Sequence, residues 1–552
     1  MKTNKINSPR FLAYVLTAQA ASIITLVLNI PFARQIIGFL FLTFIPGFLL
    51  LRIFRLDGRN LTETILFSVG LSIAFLMLIG LLTNELGSLS LLPKPLSTEP
   101  LAIVLNLTIT LMCLLDYFTN REDSNPTRIW DFGSSRIILP CIILPILSVT
   151  GVLFDVIFNN NLLLIAVIAV IPIFFIWGLI NSKQSSHYPI IIVSVAIALL
   201  LSFTLMTNYM YGDDIHSEFN VFSTTKSLSY WNPLHYNSYE QFGAISMLSV
   251  TILPTVLSNM LNIEPGWVFK ILLPLVFALV PVGLYQLYKI QWGKKVAFIS
   301  VFFFMANAIY FQLLPTNVEC MIAELFFVLM FLIIFGEGGN YGIGKGLSII
   351  FLSFGLVVSH YGIDYIFLFL ILLTWLFGKL FLKNQFAKIK STAVAFPLLL
   401  TFLWYTRIAQ GPFDKIVGNF QTAFLNFQKE FFDFSSRGQP IQTALSLIAP
   451  ASALHGAGII LHDITTGLIL VGFVSIIFVW KKEKLNSEYV VITLLSTAIL
   501  FAAVIIPLFA GFLEVDRLYQ ILLIFLSPLF VLGAKTLLTI IPGLRKRKEG
   551  GK

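Results

Sequence analysis

The sequence is poor in charged residues, which make up 11% of it, against roughly 25% in ordinary soluble domains. Hydrophobic residues account for 57%, and the mean hydropathy is +0.89. A water-soluble fold has no means of burying so much apolar surface. The shortage of charge therefore excludes a soluble protein and leaves an integral membrane protein.

Cysteine is also scarce. Cys113, Cys141 and Cys320 lie in or at the edge of apolar runs, with no paired spacing and no Cys-x-x-Cys. This pattern indicates neither a disulfide framework nor a zinc site.

The formal net charge of +9 comes from basic residues scattered among short loops, which argues against a nucleic-acid-binding face.

Several catalytic and nucleotide-binding signatures are missing as well. The sequence contains no Gly-x-Ser-x-Gly, Walker loop, Gly-x-Gly-x-x-Gly or His-Glu-x-x-His motif, and no repeat with a period of 20–50 residues. Nucleotide sugars stay in the cytoplasm. An enzyme without a nucleotide site that uses sugars outside the cell must therefore take them from lipid carriers.

What the sequence does have is a succession of apolar runs near the ~20 residues that cross a bilayer, recurring from Phe11 almost to Ile541. Each run must be a helix, because lipid cannot satisfy open backbone groups. We predict an all-α polytopic protein with about sixteen transmembrane helices, in an amino-terminal six-helix block (1–185) and a core (186–545). The predicted helices are 11–30, 35–54, 62–83, 101–118, 137–158, 161–181, 188–209, 267–288, 296–314, 320–336, 346–359, 361–382, 391–409, 465–480, 488–510 and 518–541.

The distribution of lysine and arginine predicts the orientation, since short loops rich in these residues face the cytoplasm. It predicts a plasma-membrane protein with both termini and the loop Lys289–Lys295 on the cytoplasmic side. Segments 211–266 and 411–464 are then outside. This parity requires that Gly243–Leu261 does not cross the membrane. We predict an interfacial helix there, lying on the outer leaflet.

The strongest local signal is the acidic pair Asp213-Asp214, where the seventh predicted helix leaves the membrane. Carboxylates at that boundary are costly unless they are solvated, paired or bound to a cation. One interpretation is that they only stop the helix from sliding inward. The other is a general base or metal ligand, kept basic by the negative end of the helix dipole.

Polar and aromatic residues follow the acidic pair in the same external segment. Glu218, Trp231, His235 and Tyr236 are of the types that line sugar-binding surfaces. We predict that they bind a sugar or the molecule that accepts it.

This layout resembles the GT-C superfamily of lipid-phosphosugar-dependent glycosyltransferases over residues 188–541. The shared features are an acidic pair after the first core helix, an external loop with a Trp-x-Pro segment at Trp231–Pro233, an interfacial helix and a run of hydrophobic helices. More narrowly, the chain is similar to an archaeal group of uncharacterised membrane proteins. That similarity rests on Asp213-Asp214, on Glu319 with Ile322–Phe326, and on Ser359-His360-Tyr361 with Tyr365.

The resemblance implies an inverting glycosyltransferase. Asp213 or Asp214 would take the proton of an acceptor hydroxyl while the sugar leaves its polyprenyl or dolichyl phosphate. Some members place acidic metal ligands in the next external loop. Here that loop offers Glu319, with Glu324 deeper in the helix, in place of an Asp-x-Asp. Dependence on Mg²⁺ or Mn²⁺ is therefore open, and a solvated loop residue is the alternative for Glu319.

Two further residues are candidates for binding the donor phosphate. His360 divides a long apolar stretch into two short helices, and helix ends can direct dipoles and side chains at a ligand. Arg517 precedes the last helix, where the resemblance also implies a basic residue. The alternatives are a packed, structural His360, and an Arg517 that pairs with Glu514 or Asp516 or reaches the headgroups.

The predicted function is thus transfer of a sugar from a lipid-phosphate donor to a glycan, glycolipid or protein acceptor on the outer face. A lipid-linked sugar flippase or secondary transporter is the alternative from another class. That alternative expects charged residues near the membrane midplane and related halves with matching helix breaks. The sequence shows neither feature clearly.

Overall fold

The described residues of the computed structural model are helical, with no β-strand among them. They are residues 8–56, 59–89, 91–119, 135–180, 186–233, 243–336, 342–381, 388–409, 452–506 and 514–540, with positions 418, 421 and 425. An all-helical, membrane-spanning chain is what the apolar runs predict.

Eighteen helices are numbered here in chain order. They are α1 (Ser8–Val27), α2 (Ala33–Ile53), α3 (Leu61–Ser88), α4 (Thr98–Thr119), α5 (Ser135–Phe158), α6 (Leu162–Ile180), α7 (Tyr188–Thr204), α8 (Asp214–Leu228), α9 (Ile252–Leu261), α10 (Pro265–Trp292), α11 (Lys294–Ala306), α12 (Val318–Phe335), α13 (Ile343–Val357), α14 (Tyr361–Phe381), α15 (Ser391–Leu403), α16 (Ala453–Val479), α17 (Ser487–Ile505) and α18 (Val515–Ile540).

Every predicted membrane segment contains a helix among the described residues, but not all of the helices are long enough to cross a bilayer. Among the described residues, 12 helices have the required length and hydropathy. A thirteenth span is possible if α11 and Ile309–Thr316, which are bent by 58° relative to each other, count as one. α7, α13 and the apolar part of α1, Phe11–Val27, fall short of the ~20 residues expected for a perpendicular span. The prediction of a polytopic α-helical membrane protein is confirmed, with 12 or 13 candidate spans.

The helical part of the segment Gly243–Leu261 is too short to span, and it does not have the exposed face of an interfacial helix. Its helical part, α9, has 10 residues, or about 15 Å of length. Nine of those residues are buried, in packing against α2, α3, α4 and α8. An amphipathic helix on a leaflet would leave one face exposed. The prediction for this segment was therefore wrong in its packing.

Arg34 of α2 holds the carboxyl-terminal end of α9. Its guanidinium donates to the carbonyl oxygens of Met260 at 2.9 Å and Asn259 at 2.8 Å. The last carbonyls of a helix have no partner within the helix and carry partial negative charge, so a buried cation there is stabilising.

The contacts divide the chain into two compact units, and the division does not fall at 185/186. The first unit comprises residues 1–283, 311–364 and 395–412, and the second comprises 284–310, 365–394 and 413–552. In the first unit, α3 packs against α2, α12 and α13, so the amino-terminal helices share a core with later ones. All of α12 is buried.

Close helix crossings in each unit depend on glycine. In the first unit, a Cβ on Gly47 would lie 1.9 Å from the carbonyl oxygen of Ser68, so α2 and α3 touch backbone to backbone. In the second unit, a Cβ on Gly472 of α16 would lie 2.0 Å from the carbonyl oxygen of Leu529 of α18. Small residues at such crossings let membrane helices approach closely and gain van der Waals contact.

Candidate functional site

The acidic loop of the first unit packs against the turn that leads into α12. α7 ends at Thr204, and an irregular connection leads to Asp214 at the start of α8. Gly212 in this connection has φ +123°, and a Cβ on it would lie 2.4 Å from the Cβ of Thr316. Both the backbone conformation and the lack of space favour glycine. The loop therefore contacts the turn just before Glu319.

The structure corrects the electrostatic setting of the acidic pair. Asp213 is exposed and occupies the N-cap position of α8, and Asp214 is half-buried in its first turn. We predicted that the pair lies at the carboxyl end of a helix, where the dipole would keep it basic. It lies instead at an amino end, which stabilises the carboxylate anion. The helix dipole at this end therefore does not have the effect on the pair that we predicted from the sequence.

Glu218 has a structural contact within the same group of elements. Its side chain is 1% exposed, and its Oε2 accepts a hydrogen bond from the backbone N–H of Val318 at 2.9 Å. Val318 is the first residue of α12, whose leading N–H groups have no intrahelical partner. Glu218 therefore caps the buried amino end of α12 from another segment, although we predicted that it binds the acceptor.

Two acceptor atoms at this junction are buried without a hydrogen-bond partner in the described part of the chain. They are Oε1 of Glu218 and Oδ1 of Asn317. A buried polar atom without a partner costs roughly 1–3 kcal/mol. Such atoms indicate where a bound polar ligand would be stabilised.

A compact polar cluster lies at the amino end of α12. One carboxylate oxygen of Glu319, the Sγ of Cys320 and one ring nitrogen of His360 lie within 4.8 Å of one another, and all three residues are buried. The structure thus brings together Glu319 and His360, which we predicted to have separate roles. It adds Cys320, which no sequence motif had indicated.

Glu324 does not belong to this cluster. It is fully buried in α12, five residues after Glu319. Residues five apart on an α-helix are rotated by roughly 140° about its axis. Glu319 and Glu324 therefore lie on different faces of α12, and the cluster of the described residues does not include Glu324. A role for Glu324 in metal binding stays a prediction.

His360 caps the start of α14. Its Nδ1 accepts a hydrogen bond from the backbone N–H of Ile363 at 3.1 Å. A ring nitrogen that accepts carries no proton, so the neutral ring has its proton on Nε2. Burial lowers the pKa of His360 to about 3, which keeps the ring neutral near pH 7. His360 can therefore offer an Nε2–H donor to a phosphate or hydroxyl oxygen.

Trp231 is not part of an exposed stacking surface. It is 3% exposed, and its ring stacks on Trp404 with centroids 6.2 Å apart. Its indole N–H donates to the carbonyl oxygen of Ile245 at 2.8 Å. Asn84 of α3 binds both its backbone N–H, at 2.7 Å, and its carbonyl oxygen, at 2.9 Å. The predicted sugar-stacking role is replaced by packing. His235 and Tyr236 lie outside the described residues, and their roles stay predictions.

Arg517 belongs to the second unit, in the first turn of α18. One of its side-chain nitrogens lies 3.3 Å from a carboxylate oxygen of Glu514. This ion pair is the alternative that the sequence left open. Its existence does not exclude phosphate binding, because Glu514 is largely exposed and a weak exposed partner can be displaced.

Two other buried polar residues escaped the sequence-based selection. Asp364 is fully buried and accepts a hydrogen bond from the hydroxyl of Thr401 at 2.6 Å. Gln520 of α18 is fully buried, and neither polar atom of its side chain has a partner in the structure described here. The available signal was their position one turn inside an apolar helix, where polar residues are costly.

These features define a multi-pass, all-helical membrane protein with a buried polar cluster in its first unit. Residues 345–550 match a family described as "Predicted membrane protein (DUF2206)". The match begins in α13 and includes the His360 junction. No curated protein and no solved structure matches the chain. The description supports a membrane location and names no activity.

Proposed function

We propose that this membrane protein is an inverting glycosyltransferase. It moves a sugar from a polyprenyl- or dolichyl-phosphate donor to an acceptor on the outer face of the plasma membrane. The acceptor class is a glycan, glycolipid or protein hydroxyl. Asp213 or Asp214 acts as the general base.

One observation carries this proposal. The contact of Gly212 with Thr316 joins the acidic loop to the turn that carries Glu319, and the cluster of Glu319 with His360 extends this group to the α13–α14 junction. The sequence analysis selected all three segments, and the fold gathers them in one unit. A site that joins carboxylates to a neutral histidine donor suits the activation of a hydroxyl group.

The reaction breaks one bond and forms another at the anomeric carbon of the sugar. The acceptor oxygen attacks this carbon while its bond to the phosphate oxygen breaks. The acceptor proton passes to the carboxylate of Asp213 or Asp214, and the electron pair of the broken bond leaves with the lipid phosphate. Attack opposite the leaving group inverts the anomeric configuration.

A divalent ion is part of this proposal only through the acidic loop and Glu319, since Glu324 is not part of the cluster at the amino end of α12. Mg²⁺ and Mn²⁺ prefer oxygen ligands, which carboxylates supply, whereas the thiol of Cys320 is a soft ligand. No step above requires the ion. Transfer measured with EDTA and then with restored Mg²⁺ or Mn²⁺ tests this dependence.

The test of the function is a transfer assay. Membranes containing the protein receive polyprenyl-phosphate sugars labelled in the sugar, and the label is followed into the acceptor fraction. We expect label transfer that Asp213→Asn or Asp214→Asn reduces. Uptake of the labelled lipid-linked sugar across sealed vesicles, without covalent transfer, would contradict the proposal and support a flippase or transporter.

A further inference from the structure

The amino ends of two helices meet at the cluster of Glu319, Cys320 and His360. Glu319 lies in the first turn of α12, and His360 caps α14. Both ends carry partial positive charge from unsatisfied N–H groups. Such a place favours oxygen-rich ligands. The histidine tautomer decides which kind of ligand fits.

A metal ion fits the histidine poorly. A histidine that binds a metal through one nitrogen usually donates its other N–H to a carboxylate, a carbonyl or water. Here the other nitrogen, Nδ1, accepts from Ile363 instead. Nε2 therefore holds the proton and has no lone pair to give to a metal. The residue types of the cluster are those of a metal site. The hydrogen bond from Ile363, however, makes His360 a hydrogen-bond donor through Nε2.

The separation within the cluster suits a bridging oxygen. One ring nitrogen of His360, one carboxylate oxygen of Glu319 and the Sγ of Cys320 lie within 4.8 Å of one another. An oxygen that makes two ordinary hydrogen bonds at a roughly tetrahedral angle holds its partners about 4.5 Å apart. A hydroxyl oxygen that bridges the histidine ring and the carboxylate is therefore within reach of both groups.

Neighbouring buried acceptors favour a ligand that brings O–H donors. Oε1 of Glu218 lies on the residue that caps Val318, just before Glu319, and is buried without a partner among the described residues. Oδ1 of Asp364, one turn after His360, is also buried without a hydrogen-bond partner among the described residues. A ligand with several hydroxyl groups can donate to such atoms, whereas a phosphate without protons cannot.

We propose that Glu319 and His360 together bind one hydroxyl group of a hydroxyl-bearing ligand. The hydroxyl oxygen accepts a hydrogen bond from the Nε2–H of His360, and the hydroxyl O–H donates a hydrogen bond to the carboxylate of Glu319. This proposal deepens the proposed function and rests on it in one respect, namely that the hydroxyl group belongs to the sugar acceptor. His360 then contacts the acceptor, not the donor phosphate that we predicted from the sequence.

The tautomer is tested by ¹⁵N NMR of the full-length protein in lipid nanodiscs, labelled at histidine. The His360 signals are assigned by their loss in His360→Asn. Asparagine is a good N-cap residue and preserves an acceptor for the Ile363 N–H, so this variant should fold. We expect an Nε2–H, neutral ring at pH 7. A proton on Nδ1 would overturn the proposal.

The ligand is tested in the same sample by adding methyl glycosides of common hexoses, with fully O-methylated glycosides as probes that lack O–H donors. We expect the methyl glycosides to shift the His360 Nε2 signal, and the O-methylated ones to leave it unchanged. Glu319→Gln should weaken the response on the order of tenfold, because a charge-assisted hydrogen bond becomes a neutral one. Asn220→Ala, at an exposed position of α8, is the control and should respond like wild type. No shift with any glycoside would overturn the proposal.

Metal analysis and kinetics separate the remaining outcomes. A stoichiometric transition metal in the purified protein, lost in both His360→Asn and Cys320→Ser, would replace the hydroxyl site by a metal site. In the transfer assay, Glu319→Gln and His360→Asn should raise the KM for acceptor and leave the KM for donor unchanged. If wild-type protein transfers no sugar, the proposed function fails, and the NMR experiments still decide whether the hydroxyl site exists.

Discussion

The carboxylate of Glu218 accepts a hydrogen bond from the backbone N–H of Val318, 100 residues further along the chain, at 2.9 Å. This contact fixes the amino end of α12 beside α8. It therefore determines where Glu319, the next residue, lies relative to the acidic loop. A residue that we predicted to bind the acceptor thus helps to position the candidate site.

Glu218→Ala should destabilise the protein, because it leaves the buried N–H of Val318 without a partner at a cost of roughly 1–3 kcal/mol. Glu218→Gln keeps an acceptor oxygen and should cost less. Thermal unfolding in detergent measures both. Glu99→Ala, at an exposed carboxylate in the first turn of α4, is the control and should change the midpoint little. Equal stability of Glu218→Ala and wild type would refute the capping role.

Asp213→Asn and Asp214→Asn separate the two carboxylates of the acidic loop. Removing a general base costs on the order of 10²–10⁴ in rate, and we expect that loss in one of the two variants. Transfer is measured at equal expression in membranes. Asp463→Asn, which changes an exposed carboxylate of the second unit, should retain full activity. Full activity in both loop variants would remove the acidic pair from the mechanism.

Asn84→Ala tests whether Trp231 is a packing residue. The variant removes the partner of two buried backbone groups of Trp231, and each loss costs roughly 1–3 kcal/mol. We expect a lower unfolding temperature and no change in the KM for acceptor of the remaining folded enzyme. Asn220→Ala, at an exposed position of α8, serves as the control. A raised KM at unchanged stability would instead support the predicted sugar-binding role of Trp231.

The helices were predictable because apolar length alone demands them in lipid. The start of α8 was not. Apolar residues such as Leu205 and Met206 continue the hydrophobic pattern past the actual end of α7 at Thr204, so the acidic pair was assigned to the wrong end of the wrong helix.

The contents of the site depended on contacts between distant parts of the sequence. Trp231 is buried because Asn84, 147 residues away, binds its backbone. The cluster of Glu319, Cys320 and His360 requires the packing of two separate helix ends. No local pattern encodes these contacts. Glu319 was selected through the family resemblance, and His360 because it divides a long apolar stretch; neither signal predicted that the two side chains meet.

The orientation of the membrane segments is a prediction of the positive-inside rule. Lys294→Cys, at the start of α11, should resist an impermeant thiol reagent in intact cells and react after permeabilisation. Asn220→Cys, at an exposed position of α8, should react in intact cells. The reverse pattern would place the proposed site in the cytoplasm and remove the argument for a lipid-linked donor.

Arg517 is the predicted ligand of the donor phosphate. It lies in the first turn of α18, where free backbone N–H groups and the positive end of the dipole favour an anion. Its guanidinium adds a charge-assisted, potentially bidentate donor, so Arg517→Ala should raise the KM for donor by on the order of 10- to 100-fold. Arg517→Lys keeps the charge but loses the planar fork, and it should fall between.

The competing explanation is that Arg517 only pairs with Glu514, 3.3 Å away. Glu514→Gln breaks this pair and keeps the guanidinium. If Arg517 binds the phosphate, Glu514→Gln should leave donor use unchanged or improve it, because it removes a competing anion. If the pair is structural, Glu514→Gln and Arg517→Ala should lower the unfolding temperature alike. Wild-type donor kinetics in folded Arg517→Ala would exclude the phosphate role, whatever the stability of the variant.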